Sequence, residues 1–584
     1  MTVAAGPAFS LREIPFSFRG SWFGFSPVIG EERYAQDVHL VSHQTGMHPI
    51  LRLIPTVEGA RAETTVAAAP HRLTWTCDAG RIDLAYENPD TVRLRGQGLG
   101  LRLLAADPVL TPFSGPYFYQ NPGDDSWVFT VYQTGRRYRI TLLAGRAEVW
   151  GAQTLGTAER GVLLSGDGEP WEIAVEEYET ARAPYTGAND FEHVAASARA
   201  EFDAFRDAVA PWRSDRTPAA ELAAYVLWSA TVRPAGFVTR PAVLMSKHWM
   251  DKVWSWDHCF NAIALAGGLP DLAWDQLRLV FDHQDAAGAL PDSVAHSEVL
   301  YNFVKPPIHG WALGRLRSSH EGESAEVYRL LERWTSFWLT ARRVPGRALA
   351  HYQHGNDSGW DNATAFDPER LVETADLAAF LILQMRELAR LAAELAMPGA
   401  AVTWTREADR MRDALIAELW DGDRFVTRGV HSGRTWSSAS LLDLMPIVLA
   451  DELPASVRDV LAARIEAHLT AFGLATELPT SPDYQDDGYW RGPIWAPSTV
   501  LIEDGLRRAG HTQLADEIST RFRVLCEKSG FAENFDALSG IGLRDRAYTW
   551  TASAYLILAA AHERRERETA GSDDQASSSE RPRV

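Results

Sequence analysis

Residues 494–528 read IWAPSTVLIEDGLRRAGHTQLADEISTRFRVLCEK. Their apolar residues recur at helical spacing and predict two helices, Ile494–Arg508 and Gln513–Lys528, with only Ala509–Thr512 between them. So short a connection makes the two helices antiparallel neighbours. The flanking stretches differ: Thr470–Pro493 and Ser529–Ala547 are long and lack helical period.

Working outward, the same alternation fills the chain from Thr217 to Arg564. Further helices are predicted near Pro218–Val232, Trp256–Ala266, Pro270–Gln284, Ile308–Leu316, Ser324–Arg342 and Thr374–Leu395. Others follow near Thr403–Trp420, Ser437–Leu449, Pro454–Leu469 and Tyr548–Arg564. Thr217-Pro218 supplies an N-cap residue followed by Pro at the first helical position. Short connections such as Gly267–Leu269 and Ala450–Leu453 alternate with long ones: Arg233–Ser255, Asp285–Pro307, Arg343–Glu373 and Asp421–Trp436. Twelve helices then form six hairpins, and all six long connections emerge at one rim. Long ordered loops usually carry function, so that rim is the expected active face.

Before the helices the sequence reads as β. Arg72–Cys77, Arg81–Tyr86, Thr91–Arg95, Trp127–Gln133, Arg137–Leu143 and Trp171–Glu177 alternate apolar and polar residues. Asp78-Ala79-Gly80 and Thr134-Gly135 mark turns. The expected fold is an N-terminal antiparallel β-sandwich (residues 1–185), a helical linker (186–216) and an (α/α)6 barrel (217–565). The final residues, 566–584, are rich in Glu, Arg, Ser and Asp without periodicity and are expected to be disordered.

Composition excludes several functions. The formal net charge is -20 with no dense basic stripe, which removes nucleic acid and anionic membrane surfaces as partners. Cys77, Cys259 and Cys526 are scattered and odd in number, so neither a disulfide framework nor a metal motif is expected. No apolar run reaches the roughly 18 residues of a spanning helix and no signal peptide is legible, so a cytoplasmic location is expected. The 21 tryptophans suit either large cores or stacking on sugar rings.

The chemistry-bearing residues fall on the long connections. Candidate sugar-binding residues are Trp254, Trp256, Asp257, Lys305, Trp360, Asn362, Tyr489, Trp490, Arg491, Gly492, Trp495 and Trp550. Apolar walls with a few fixed polar groups are what a pyranose requires, so a small carbohydrate is the expected partner and no cofactor or metal is called for. Glycosidic cleavage needs a protonated carboxyl at the leaving oxygen and a second carboxylate opposite. The third long connection offers Asp357, Asp361 and Asp367; Asp361 is favoured because Trp360 beside it can raise its pKa by desolvation. The last offers Glu533 and Asp536, between which spacing does not decide.

Taken in order, Trp254-Ser-Trp256-Asp257, Lys305-Pro-Pro-Ile-His-Gly-Trp311, Ser358-Gly-Trp360-Asp361-Asn362, Tyr489-Trp490-Arg491-Gly492-Pro-Ile-Trp495 and Glu533-Asn-Phe-Asp536 resemble the trehalase and family 63 glycoside hydrolases. The resemblance is strongest to the bacterial branch of mannosylglycerate and glucosylglycerate hydrolases. It implies an (α/α)6 barrel and hydrolysis of an α-glucosidic bond with inversion and without metal. Asp361 then matches the general acid and Glu533 the base, while Trp256, Asp257, Trp490 and Arg491 match positions lining the sugar subsite. The β region is unlike the compact, barrel-only glycerate-glycoside hydrolases, so their substrate does not carry over. A sugar phosphorylase would replace the base with a phosphate pocket around Arg491 and Lys305. An epimerase would draw on His258, His309, His351 or His354, and a non-catalytic sugar-binding protein would lack one carboxylate.

Overall fold

A computed structural model describes residues 6–151, 153–316 and 323–579, with side chains to residue 570. Strands between Phe16 and Tyr178 build two eight-stranded antiparallel sheets and one small two-stranded sheet. The expected turns are present. Strands Arg72–Cys77 and Gly80–Asn88 pair with Cys77 opposite Gly80, and Trp127–Val131 and Arg136–Ala144 pair with Val131 opposite Arg136. Gly135, at φ 64°, takes the left-handed turn position that costs a glycine nothing.

The helices are α1 (Phe191–Val209), α2 (Ala220–Ala230), α3 (His258–Leu265), α4 (Pro270–Phe281), α5 (His309–Arg315) and α6 (Ser324–Thr340). They continue as α7 (Ala375–Glu394), α8 (Pro398–Ala414), α9 (Ala455–Ala467), α10 (Ala496–Arg508), α11 (Thr512–Ser529) and α12 (Thr549–Ser579). One expected α-helix, Ser437–Leu449, is instead a 3-10 segment, Leu441–Glu452. Pro446 lies inside it, and a proline there removes an amide donor and crowds the preceding turn. Glu566, Arg567 and Glu568, good helix formers, carry α12 past residue 565, and it continues to Ser579, into residues expected to lack order. Residues 580–584 lie outside the described residues.

Contacts run in a cycle: α3 with α5, α5 with α7, α7 with Leu441–Glu452, that segment with α10, α10 with α12, and α12 with α3. The helices α4, α6, α8, α9 and α11 pack against members of this cycle. Each member of the cycle follows a long connection, so those connections gather at the N-terminal ends of the cycle.

Contacts divide the chain into two compact units. One unit holds residues 1–207, 224–252 and 295–298; the other holds 208–223, 253–294 and 299–584. Much of α2 and most of the first long connection thus fold with the strands. Tyr225 and Trp228 on α2 explain this: they pack with Phe9, Phe18 and Phe202. No helix among the described residues is long and apolar enough to cross a membrane.

Candidate active site

Three small sheets stitch the long connections together in pairs. Val253–Trp254 pairs with Ser293–Val294, and that strand with Val299–Leu300, joining the first connection to the second. Val372–Glu373 pairs with Thr427–Gly429, joining the third to the fourth. Ile494–Trp495 pairs with Asn534–Phe535, which pairs with Gly542–Leu543, joining the fifth to the sixth. These backbone ladders hold irregular chain rigidly enough to place side chains for chemistry.

Five tryptophans form one cluster. Trp490 stacks on Trp495 at 4.1 Å and 5° between planes, and Trp360 lies 4.6 Å from Trp490. Trp256 and Trp495 each meet the Trp550 ring edge-on at 5.5 Å. All five are buried. They pack on one another and form a rigid cluster. Gly359 permits the approach: its φ is 74°, and a Cβ there would stand 2.6 Å from the Trp256 ring. Trp254 is half-buried on its strand.

Asn362 and Arg491 brace the third connection against the fifth. Asn362 accepts from the Trp490 amide at 3.0 Å and donates to the Gly488 carbonyl at 3.0 Å. Arg491 donates to the Asn362 carbonyl at 2.7 Å and pairs with Asp367 at 2.5 Å. Gly492 is a glycine because a Cβ would meet the Gln485 carbonyl oxygen at 2.2 Å.

The rival carboxylates of the third connection separate clearly. Asp357 is buried and accepts from the amides of Val304 (3.1 Å) and Gln353 (2.9 Å) and from Arg342 (2.7 Å), so it anchors the loop. Asp367 is taken by Arg491. Asp361 keeps 30 % of its side chain exposed, while its Oδ1 has no hydrogen-bond partner among the described residues and faces Lys305 Nζ at 3.8 Å. Partial burial raises its pKa and the Lys305 ammonium opposes the rise. In the last connection Asp536 accepts from the Leu538 amide at 2.9 Å and from Ser539, closing a turn. Glu533 is buried, and that burial, with Asp545 adding to it and Arg544 opposing, pushes its pKa up to about 8.

Two further carboxyls complete the group. Asp257 is 3 % exposed with Oδ2 unpartnered among the described residues; burial pushes it up to about 8 against Lys305. Asp292, absent from the sequence expectations, holds Lys305 Nζ at 3.2 Å, and Lys305 also donates to the Asn356 carbonyl at 3.0 Å. Burial disfavours the ammonium, but Asp361, Asp292 and Asp257 outweigh it and keep its pKa above the ordinary lysine value. Asp292 could be recognised only through the Trp254–Ser293 register that brings it beside Asp257. The Tyr489 hydroxyl lies within electrostatic reach of Glu533, Asp361 and Asp257 together; burial first, then those carboxylates, raise its pKa well above the usual phenol value.

One cluster has the composition of a metal site. His258, Cys259 and His309 bring their ligand atoms within 4.8 Å of one another. Yet Trp334 Nε1 donates to His309 Nδ1 at 3.2 Å, which fixes the proton of a neutral ring on Nε2. His258 Nδ1 donates to the Trp254 carbonyl at 2.9 Å, and burial holds the Cys259 thiol protonated. A protonated Nε2 on His309, an Nδ1 of His258 spent on a carbonyl and a protonated thiol do not make a ligand set.

The family model of the mannosylglycerate hydrolase MGH1-like glycoside hydrolase domain matches residues 250–551. The mannosylglycerate hydrolase of Rubrobacter radiotolerans is 25% identical over 419 residues, 55% of this chain and 92% of that protein. Family 63 mannosylglycerate hydrolase from Thermus thermophilus, solved with glucose, aligns at a TM-score of 0.51 and 21% identity, covering 57% of this chain and 98% of that one. A bacterial glucoamylase complexed with acarbose aligns at 0.62 and 10% identity over 96% of both chains, a likeness of fold that takes in the β region as well. The ordered motifs and these matches agree: the chain belongs to the mannosylglycerate hydrolase MGH1-like glycoside hydrolases, in the family 63 group.

Proposed function

We propose that this glycoside hydrolase cleaves an α-glucosidic bond of a small glucoside or oligosaccharide with inversion, Asp361 acting as general acid and Glu533 as general base. The helical cycle is read as the inner layer of an (α/α)6 barrel whose rim holds the site. One observation carries the assignment. Of the five acidic residues first in contention, Asp357, Asp367 and Asp536 are committed to loop structure, while Asp361 and Glu533 are left beside the Tyr489 hydroxyl.

In this mechanism Glu533 takes a proton from a water that attacks the anomeric carbon, and Asp361 protonates the departing oxygen. Inversion requires about 6.5–9.5 Å between the two carboxyls, room for that water. The raised pKa of Asp361 favours the protonated form an acid needs. Glu533 serves only when ionised, so the rate climbs as pH rises toward about 8. Asp257 and Lys305 are suited to sugar hydroxyls, as a paired acceptor and donor. The relatives named for mannosylglycerate correspond to little more than half of this chain, so the aglycone is a separate question.

The test is a panel of α-linked disaccharides and glycosylglycerates with proton NMR of the first sugar released. The expected product is the β-anomer of glucose, formed without phosphate. An α-anomer, or a requirement for phosphate, overturns the mechanism.

A further inference from the structure

We infer that Tyr489 and Arg544 form a clamp that positions Glu533 and sets the pH at which it accepts a proton; this rests on Glu533 being the base. Neither is glycine, yet both occupy left-handed backbone, at φ 63° and 57°. Such a conformation is strained for a bulky residue and persists only where the surroundings enforce it. The two strained residues come from different long connections and touch each other: the Arg544 guanidinium lies 5.0 Å over the Tyr489 ring.

Register explains why they meet at Glu533. In the sheet joining the fifth and sixth connections, Asn534 pairs with Leu543, so Glu533 and Arg544 are the next positions along neighbouring antiparallel strands. The Glu533 amide continues the ladder, donating to the Asp545 carbonyl at 2.7 Å. Trp495, on the third strand, donates from Nε1 to the Tyr489 carbonyl at 2.8 Å and packs its ring against the Tyr489 ring at 5.0 Å. Arg544 is held from two sides, by Asn534 Oδ1 at 3.0 Å and by Asp487 at 2.6 Å. The tyrosine hydroxyl lies near enough to Glu533 to favour its carboxylate.

The groups facing Glu533 are Tyr489 from the fifth connection, Arg544 and Asp545 from the returning strand, and Tyr548 ahead of α12. Burial and Asp545 disfavour the carboxylate; Arg544 and Tyr489 are the two that favour it. Removing either raises the pKa of Glu533, so the acidic limb of the kcat/KM profile moves to higher pH.

The decisive comparison is Arg544→Lys with Arg544→Gln, which carry the same backbone strain and differ in charge, together with Tyr489→Phe and Glu533→Gln. For Arg544→Gln and Tyr489→Phe the acidic limb is expected to rise by about one pH unit, while Arg544→Lys stays near wild type. Turnover at the pH optimum should fall less than tenfold in Arg544→Gln. An unmoved limb in both Arg544→Gln and Tyr489→Phe, or equal shifts in Arg544→Lys and Arg544→Gln, overturns the clamp. Substantial activity in Glu533→Gln overturns instead the assignment of the base. Thermal melts of each variant separate loss of fold from either result.

Discussion

Toward the C-terminal ends of α5, α7 and α10, charge is neutralised locally. Arg315 and Arg508 share Asp504, and Arg386 is held by Glu452 and Asp409, each at 2.7 Å. Ahead of the N-terminal ends of α3, α7 and α12, Asp257 and Asp361 crowd around Lys305 and, together with Glu533, around Tyr489, and oxygens of Asp257 and Asp361 have no hydrogen-bond partner among the described residues. Buried carboxyls without partners destabilise a fold, whereas the paired charges brace it. Across the helical cycle, paired stabilising charges thus sit toward the C-terminal ends and the carboxyls proposed to react lie ahead of the N-terminal ends, which is how functional sites commonly depart from best stability.

The strongest way to break this contrast is at the reactive end. Asp361→Asn and Glu533→Gln should each lower turnover by about a thousandfold or more while leaving the fold intact. Stability gives a second readout. The pKa of Glu533 is about 8 in the folded state against an ordinary value of 4.5, so the folded form holds a proton that the unfolded form has lost between those values. Stability from this group is therefore full below pH 4.5 and is lost as pH rises toward 8. The melting temperature of Glu533→Gln should gain on wild type across that window; a constant difference would contradict it. At the paired end, Asp504→Asn should cost about 2–3 kcal/mol in denaturant unfolding, since Arg315 and Arg508 lose the charge they share and one of the two oxygens that accept from them and the Trp311 indole is replaced by an amide. Its turnover should stay within twofold, and a hundredfold loss would erase the distinction between the ends. The smallest effect is expected for Asp367→Asn at the rim. Asp367 is 44 % exposed, so the loss should be under about 1 kcal/mol, with KM little changed because Arg491 keeps its bond to the Asn362 carbonyl.

The helical hairpins were legible because their apolar spacing is local, and the residues 494–528 reappear as α10 and α11 with the short connection expected. Pro446 was visible too, but its conversion of a helix to 3-10 form depends on packing that periodicity does not carry. Choosing among Asp357, Asp361 and Asp367 by their flanking residues favoured Asp361; the partners that occupy the other two come from elsewhere in the chain, as the distant Arg491 does for Asp367. Tryptophan content left large cores and sugar stacking both open, and it could not reveal that five of the rings pack on one another. Asp292 and Arg544 carry no local signal at all. They matter through strand register, which a single sequence expresses only weakly in segments two residues long.

The assignment of residues 224–252 and 295–298 to the N-terminal unit bears on how such a chain can be inherited. A fragment starting at 217 would present Tyr225 and Trp228 bare of Phe9, Phe18 and Phe202. The buried Lys247, whose ammonium is received by Ser17 at 3.0 Å and by the Ser21 carbonyl at 2.7 Å, would be left without those acceptors in the stretch that leads into Trp254 and Asp257. Recombination that swapped the strands alone would cut through the core of that unit, so an exchange that preserves it has to carry residues 224–252 and 295–298 along with the strands.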